Sequence, residues 1–91
     1  SLIFAWPLDL PADGKTESEI SLFIRNEEGK GIPEVSVRLT SSVGTVRESL
    51  LSTNSDGKAI FHVSSSQVGV AQIEAFVDNK KLQRAISVKF E

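Results

Sequence analysis

Few residues in this chain are of a type that performs chemistry. His62 is its only histidine, and there is no cysteine. An imidazole acts as general acid or base only with a nucleophile or carboxylate within hydrogen-bond reach. A metal centre built on it needs further ligands. Neither kind of partner is evident beside His62 in the stretch Asn54-Ser55-Asp56-Gly57-Lys58-Ala59-Ile60-Phe61-His62-Val63. The ring alternates with Phe61 and Val63, so it points to the opposite face, and an exposed surface imidazole is expected. Serines are numerous, with a run at Ser64-Ser65-Ser66, but none lies in a G-x-S-x-G turn. No glycine loop of the phosphate-cradling kind occurs either. These features speak against an enzyme, and no cofactor is expected.

Carboxylates are the second candidate. Glu27, Glu28, Asp56 and Asp78 fall in polar connections at 26–34, 54–58 and 78–81. If the strands follow immunoglobulin order, these connections gather at one end. A weak calcium site at Glu27, Asp56 and Asp78 would then be available, since Ca²⁺ takes six to eight oxygen donors. Against it, Lys30, Lys58, Lys80 and Lys81 share the same loops, and no DxDxDG pattern is present. Asp, Asn and Gly are also the residues that tight turns require for their own backbone bonds. The third candidate is apolar. Phe23, Ile60 and Phe76 have the parity opposite to the core residues around them and form a possible interaction surface. Phe23 and Ile60 become cross-strand neighbours if their strands pair.

The elements that must position these residues are strands. Ile20, Leu22 and Ile24 alternate with Glu19, Ser21 and Arg25; Val35, Val37 and Leu39 alternate with Ser36, Arg38 and Thr40. Further runs place Ala59, Phe61 and Val63, then Ala71, Ile73, Ala75 and Val77, then Leu82, Ile86, Val88 and Phe90 on inward faces. PADGK, NEEGKGIP, SSVG, NSDGK, SSSQVG and VDNKK separate them as turns. An N-terminal strand over 2–6, in which Leu2, Phe4 and Trp6 share a parity and Trp6 caps the core edge, and a run over 45–53 that reads as one irregular strand or two short ones, since Leu50-Leu51 breaks its alternation, bring the count to about seven. The expectation is an all-β, immunoglobulin-like β-sandwich of about seven antiparallel strands in two sheets. No Cys-Trp-Cys arrangement of the antibody kind is present. An unpaired edge such as 45–53 could pair with another chain.

Composition narrows the function classes. Ninety-one residues, 40% hydrophobic and 24% charged, suit one globular domain over 1–91. A net charge of −2 gives no pull toward nucleic acid or anionic membrane. No apolar run approaches the ~18 residues of a membrane span, so direct membrane insertion by this segment is not expected. The first residue is Ser, which suggests a piece of a longer protein.

From about Ala12 to Phe90 the chain resembles the group 1 bacterial immunoglobulin-like domains, found in tandem in invasin- and intimin-type adhesins. The residues that carry the resemblance are PADGK at 11–15, then Asn26, Gly29, Ile32, Pro33, Val35, Val37 and Leu39. Gly44-Thr45-Val46 follows, and then Thr53, Gly57, Ala59 and Val63, with Ser65, Gly69, Ile73 and Ala75. Two positions depart from the family pattern: Gly31 stands where proline is common and Glu34 where glycine is common. The conformation of the 26–34 loop is therefore not supplied by the resemblance. Transthyretin-like and macroglobulin-type sandwiches are similar in their G-x-P turn and T-x-x-x-G-x-A/F pattern.

The family resemblance implies a non-catalytic spacer module of a bacterial cell-surface adhesin-like protein. Such a module is extracellular, anchored in the outer membrane through parts outside this segment, and extends a binding tip from the cell. Its expected partners are neighbouring domains of the same chain and a host protein or glycan. The alternatives are a ligand-binding module using loops 26–34, 54–58 and 78–81, or an accessory module of a secreted enzyme or phage structural protein.

Overall fold

The computed structural model describes residues 2–48, 50–78, 80–82 and 85–91. It is all-β among these residues, with ten strands: β1 (Leu2–Trp6), β2 (Asp9–Leu10), β3 (Ser18–Phe23), β4 (Ser36–Ser41), β5 (Thr45–Val46), β6 (Leu50–Ser52), β7 (Lys58–Ser64), β8 (Gly69–Val77), β9 (Lys80–Lys81) and β10 (Ile86–Phe90). One sheet has the order β1-β3-β7-β5; the other has the order β2-β10-β8-β4-β6, with β9 pairing β8. The expected immunoglobulin-like sandwich is thus observed. The strand count is higher because β2 and β9 are two-residue strands, and because the 45–53 run divides.

Alternation carries the core. On β3 and β7, Ile20 lies opposite Phe61 and Leu22 opposite Ala59. On β4 and β8, Leu39 lies opposite Ala75 and Val37 opposite Val77. The two inner faces interdigitate around Phe61, Phe90, Ile20, Leu22, Ile73, Val37, Val63 and Val88, all fully buried. Each such aliphatic or aromatic side chain contributes about 1.5–3 kcal/mol by leaving water. The one polar residue on the inner face of β3 is Ser18, whose hydroxyl donates to the Pro7 carbonyl at 2.8 Å. Among the described residues no buried side-chain polar atom lacks a hydrogen-bond partner.

The first strand corrects the expected parity. Ile3 lies opposite Leu22 and Ala5 opposite Ile20, so Ile3 and Ala5 pack on the core. Leu2, Phe4 and Trp6 face outward instead, and Trp6 is 76% exposed. The run Leu-Ile-Phe-Ala-Trp is apolar at every position, so it carries no alternation to read. The register with β3 decides the face.

Two segments change sheet. The N-terminal run leaves the first sheet after β1, passes a cis Trp6–Pro7 peptide, and enters the second sheet as β2. There it pairs in parallel with β10, with Lys89 N–H donating to Leu8 O at 2.7 Å and Glu91 N–H to Leu10 O at 2.9 Å. The 45–53 run does the same on the opposite side: β5 pairs β7, whereas β6 pairs β4. Ser49, between them, lies outside the described residues. The chain directions follow from the antiparallel pairings. β3 and β8 run toward the 26–34 end; β1, β4, β7 and β10 run away from it. Leu2 and Phe90 therefore lie at opposite ends of a body whose extents are 39 × 21 × 20 Å.

Candidate functional site

The loops at 26–34, 54–58 and 78–81 do converge at one end, as the strand directions require. Two of them are built alike. Asn26-Glu27-Glu28-Gly29-Lys30 and Asn54-Ser55-Asp56-Gly57-Lys58 share an N-x-x-G-K pattern, and their bonds correspond one for one. The Asn26 side-chain oxygen accepts from Glu28 N–H at 2.9 Å and Lys30 N–H at 3.0 Å. Asn54 accepts from Asp56 N–H at 2.9 Å and Lys58 N–H at 3.0 Å. Gly29 and Gly57 supply the left-handed residue of each turn, with φ of 83° and 76°. Glu27, Glu28 and Asp56 are exposed around these turns. Asp78 lies apart on the second sheet, its N–H donating to Ser36 O at 3.0 Å. Asn79, in the same connection, lies outside the described residues. Among the described residues no three His, Asp or Glu side chains stand close enough to hold a metal ion.

The two twin turns are locked together. Ile24 N–H donates to Gly57 O at 2.7 Å, and Ile32 N–H to Ile24 O at 2.9 Å. Gly31 rests so close to the other turn that a Cβ there would stand 2.0 Å from Asp56 O. This close approach is what glycine permits where proline is common. Glu34 has a φ of 59°, the left-handed region that glycine enters freely. Both departures from the family pattern therefore have local structural consequences, and the loop keeps its turn. Thr53 pins it from below. Its buried hydroxyl donates to Ile32 O at 2.6 Å and accepts from Val35 N–H at 2.9 Å.

The outer face of the first sheet gathers more. Phe23 lies opposite Lys58 and Ile60 opposite Ser21, so Phe23 and Ile60 are diagonal rather than direct neighbours. Phe4 meets Phe23 edge to face at 5.9 Å between ring centroids. The Arg25 guanidinium and the Lys58 ammonium stand 5.5 Å and 5.4 Å from the Phe23 centroid, within cation–π range. Phe76 lies on the opposite sheet, with the Arg38 guanidinium 4.6 Å from its ring centroid. A shallow cleft of about 200 Å³ lies there, lined by Ser36, Arg38, Leu50, Phe76 and Asp78. The sequence-derived trio is thus split between two faces.

His62 points outward as expected, but it is not a free surface ring. Its Nδ1 lies 2.5 Å from one oxygen of Glu48, and its backbone N–H donates to the other at 2.8 Å. The Arg47 guanidinium stands 3.1 Å from the same ring nitrogen. Arg47 pairs with Glu17 at 3.3 Å and reaches Glu48 at 3.7 Å. Partial burial pushes the Glu48 carboxyl up, but the hydrogen bonds from the His62 ring and backbone more than offset this and hold it below its ordinary 4.5. The pair spans 14 residues of sequence, and no local motif announces it. The arrangement fastens the β5–β6 crossing to β7.

The serine run lines the other end of the sandwich. Gly14, Gly44, Thr45, Ser64, Ser65, Ser66 and Gln67 surround a polar hollow of about 360 Å³. The Ser65 hydroxyl donates to Gln67 O at 2.8 Å and accepts from Gln67 N–H at 3.0 Å, a local turn rather than an activated nucleophile.

The sequence matches the family described as bacterial Ig-like domain (group 1) over residues 5–91. The chain belongs to that family. None of the curated proteins matches it by sequence. Among solved structures, invasin, a bacterial integrin-binding protein, aligns with a TM-score of 0.87 at 24% identity, over 97% of this chain and 18% of that one. A C-terminal 282-residue fragment of intimin, in complex with the intimin-binding domain of the translocated intimin receptor, gives 0.87 at 19% identity, over 99% of this chain and 32% of that one. An adhesin of Yersinia pseudotuberculosis gives 0.87 at 20% identity, over 98% and 25%. At these identities the likeness is one of fold. This bacterial Ig-like domain spans less than half the length of invasin, of the intimin fragments and of the Yersinia pseudotuberculosis adhesins it matches.

Proposed function

We propose that this bacterial Ig-like domain is a non-catalytic structural module of a cell-surface, adhesin-like protein, holding a binding tip away from the cell. The observation that carries the reading is the placement of Leu2 and Phe90 at opposite ends of a body 39 Å long. Modules joined end to end through such termini add length with every copy. Among the described residues the core strands no buried side-chain polar atom and the turns satisfy their own backbones, as suits a stiff spacer. No residue is catalytic in this reading. The module lies outside the cell, anchored through other parts of the protein, with neighbouring modules as its immediate partners. A host protein is the partner of the assembled molecule, by analogy with the receptor bound by the intimin fragment and with integrin-binding invasin.

Small-angle scattering on two copies joined in tandem tests the reading. The expected maximum dimension is about twice the 39 Å of one module. A tandem protein that folds back to the length of a single module would overturn it.

A further inference from the structure

The outer face of the second sheet carries a row of residues that the spacer reading leaves unused. Arg38 of β4 lies opposite Leu50 of β6 in one direction and opposite Phe76 of β8 in the other. Its guanidinium sits over the Phe76 ring at 4.6 Å, nearer than either cation stands to Phe23. Leu50 is 62% exposed beside it. With Ser36 and Asp78 these side chains line the cleft of about 200 Å³. The Asp78 N–H donates to Ser36 O at 3.0 Å, which fixes Asp78 at the end of the cleft nearer the 26–34 loop.

Arg38 is an arginine without a carboxylate. The described residues include every Asp and Glu of the chain, and their ion pairs go to Arg47, His62, Lys81 and Lys89. On this face Lys81, opposite Phe76, is paired to Glu74, and Lys89 to Glu91. Asp9 lies beside Lys89 at the other end of the sheet, and Glu34 stands beyond Ser36, outside the lining. Asp78 is the one acid that lines the cleft. It falls diagonal to Arg38 across the strand pair, about 7–8 Å away between Cα atoms.

A guanidinium held over an aromatic ring keeps its N–H fork in a set orientation, and that fork matches a carboxylate through two parallel bonds. Part of the ordering cost of binding is thus met before a ligand arrives. Asp78 sets the second requirement. A carboxylate on Arg38 comes near it, so the ligand must present a donor on that side, and a second anionic group there is rejected. Ser36 adds a hydroxyl that donates or accepts. Leu50 supplies an apolar wall. The volume lies below the ~300 Å³ at which pockets for drug-sized molecules begin, which leaves room for one ring.

We propose that this cleft binds a sugar acid: a single six-membered ring bearing one carboxylate. Arg38 holds the carboxylate, Asp78 accepts from hydroxyls on the opposite side of the ring, and the aliphatic face of the ring covers Leu50. An aspartate or glutamate side chain of a peptide fits less well. It carries its carboxylate on an apolar stem and gives Asp78 no hydroxyl. The site goes beyond the spacer reading and does not depend on it. A spacer with this cleft would hold acidic glycan along its length as well as at its tip.

NMR titration of the isotopically labelled 91-residue chain tests the proposal. The probes are the methyl glycosides of glucuronic acid and of N-acetylneuraminic acid, each up to about 20 mM, well above the ~1 mM mark at the weak end of the affinity scale. Saturating shifts are expected at the Arg38 side-chain N–H and at the amides of Leu50, Phe76 and Asp78. Arg38→Lys keeps the charge but loses the fork, and should weaken binding by about tenfold or more. Circular dichroism checks that this exposed substitution leaves the fold intact. The carboxyl methyl esters of both sugars should leave these signals unmoved. No saturating shift with either sugar, equal binding of the esters, or equal binding by Arg38→Lys overturns the proposal. So does a capped acidic peptide that binds more tightly than both sugars, which would make the cleft a protein contact.

Discussion

Replacing Thr53 by valine keeps the shape of a buried side chain and deletes a single hydroxyl. That hydroxyl makes two bonds, donating to Ile32 O at 2.6 Å and accepting from Val35 N–H at 2.9 Å, at a residue only 4% exposed. In Thr53→Val both backbone groups lose their partner. A stranded polar group costs about 1–3 kcal/mol. Ile32 and Val35 are half-buried, so water reaches part of the site and the low end of that range, about 1–1.5 kcal/mol, applies to each. The expected total is about 2–3 kcal/mol. At about 4–8 °C per kcal/mol for a domain of this size, the melting temperature should fall by roughly 8–24 °C. Thr53→Ser keeps the hydroxyl and loses one methyl, for about 1 kcal/mol. Urea denaturation of the three proteins, with hydrogen exchange at the Val35 amide, measures the effect. Two results would refute the reasoning: a Thr53→Val loss below about 0.5 kcal/mol, the scale of a featureless surface change, or equal losses for the two variants.

Gly57 and Gly29 occupy matching positions in twin turns, yet only Gly57 is enclosed. A Cβ on Gly57 would meet Ile24 O at 2.3 Å, whereas one on Gly29 would meet nothing within 4 Å. Gly29→Ala should cost about 1 kcal/mol for its left-handed backbone, and Gly57→Ala about 3 kcal/mol or more, read from denaturant midpoints. Glu34→Gly should instead stabilise by about 0.5–1 kcal/mol, because it relieves a left-handed glutamate at a small entropic cost. Acid lowers stability in a defined window. The Asp13 carboxyl is held below its ordinary 3.8, first by the N–H groups of Thr16 and Lys15 and then by the Thr16 hydroxyl. Glu48 is held below 4.5 by His62 against its own desolvation. Depressed carboxyl values give stability that is complete above the ordinary values and is lost as the pH falls through the lowered ones. Thermal midpoints should drop below about pH 4.5, and a double Asp13→Ala, Glu48→Ala variant should show a shallower drop.

Strand alternation made most of the fold legible. Ile20, Leu22, Phe61, Val63, Ile73, Val88 and Phe90 are fully buried where parity places them, because most of the residues that alternate with them are polar, Phe23 and Ile60 being the exceptions. β1 was illegible for the converse reason: all five of its residues are apolar, and only pairing with β3 selects Ile3 and Ala5 for the core. A break in 45–53 was legible at Leu50-Leu51, but the sheet that each half joins was hidden. The two halves find partners in β7 and β4, a tertiary choice with no local signal. At the candidate sites, the convergence of the end loops followed from strand order. The Phe23–Phe76 separation and the Glu48–His62 pair did not, since each depends on which sheet a strand joins.

The parallel pairing of β2 with β10 has a mechanical consequence. Tension entering at Leu2 and leaving at Phe90 pulls each terminal strand along its own axis. β1 and β2 are drawn toward the 26–34 end, and β10 away from it. The bonds from Lys89 to Leu8 and from Glu91 to Leu10, at 2.7 Å and 2.9 Å, together with that from Ala12 to Glu91 at 3.0 Å, lie across the line of force. They are loaded in shear, all at once, instead of being unzipped one after another. A module stretched this way resists until the whole group gives.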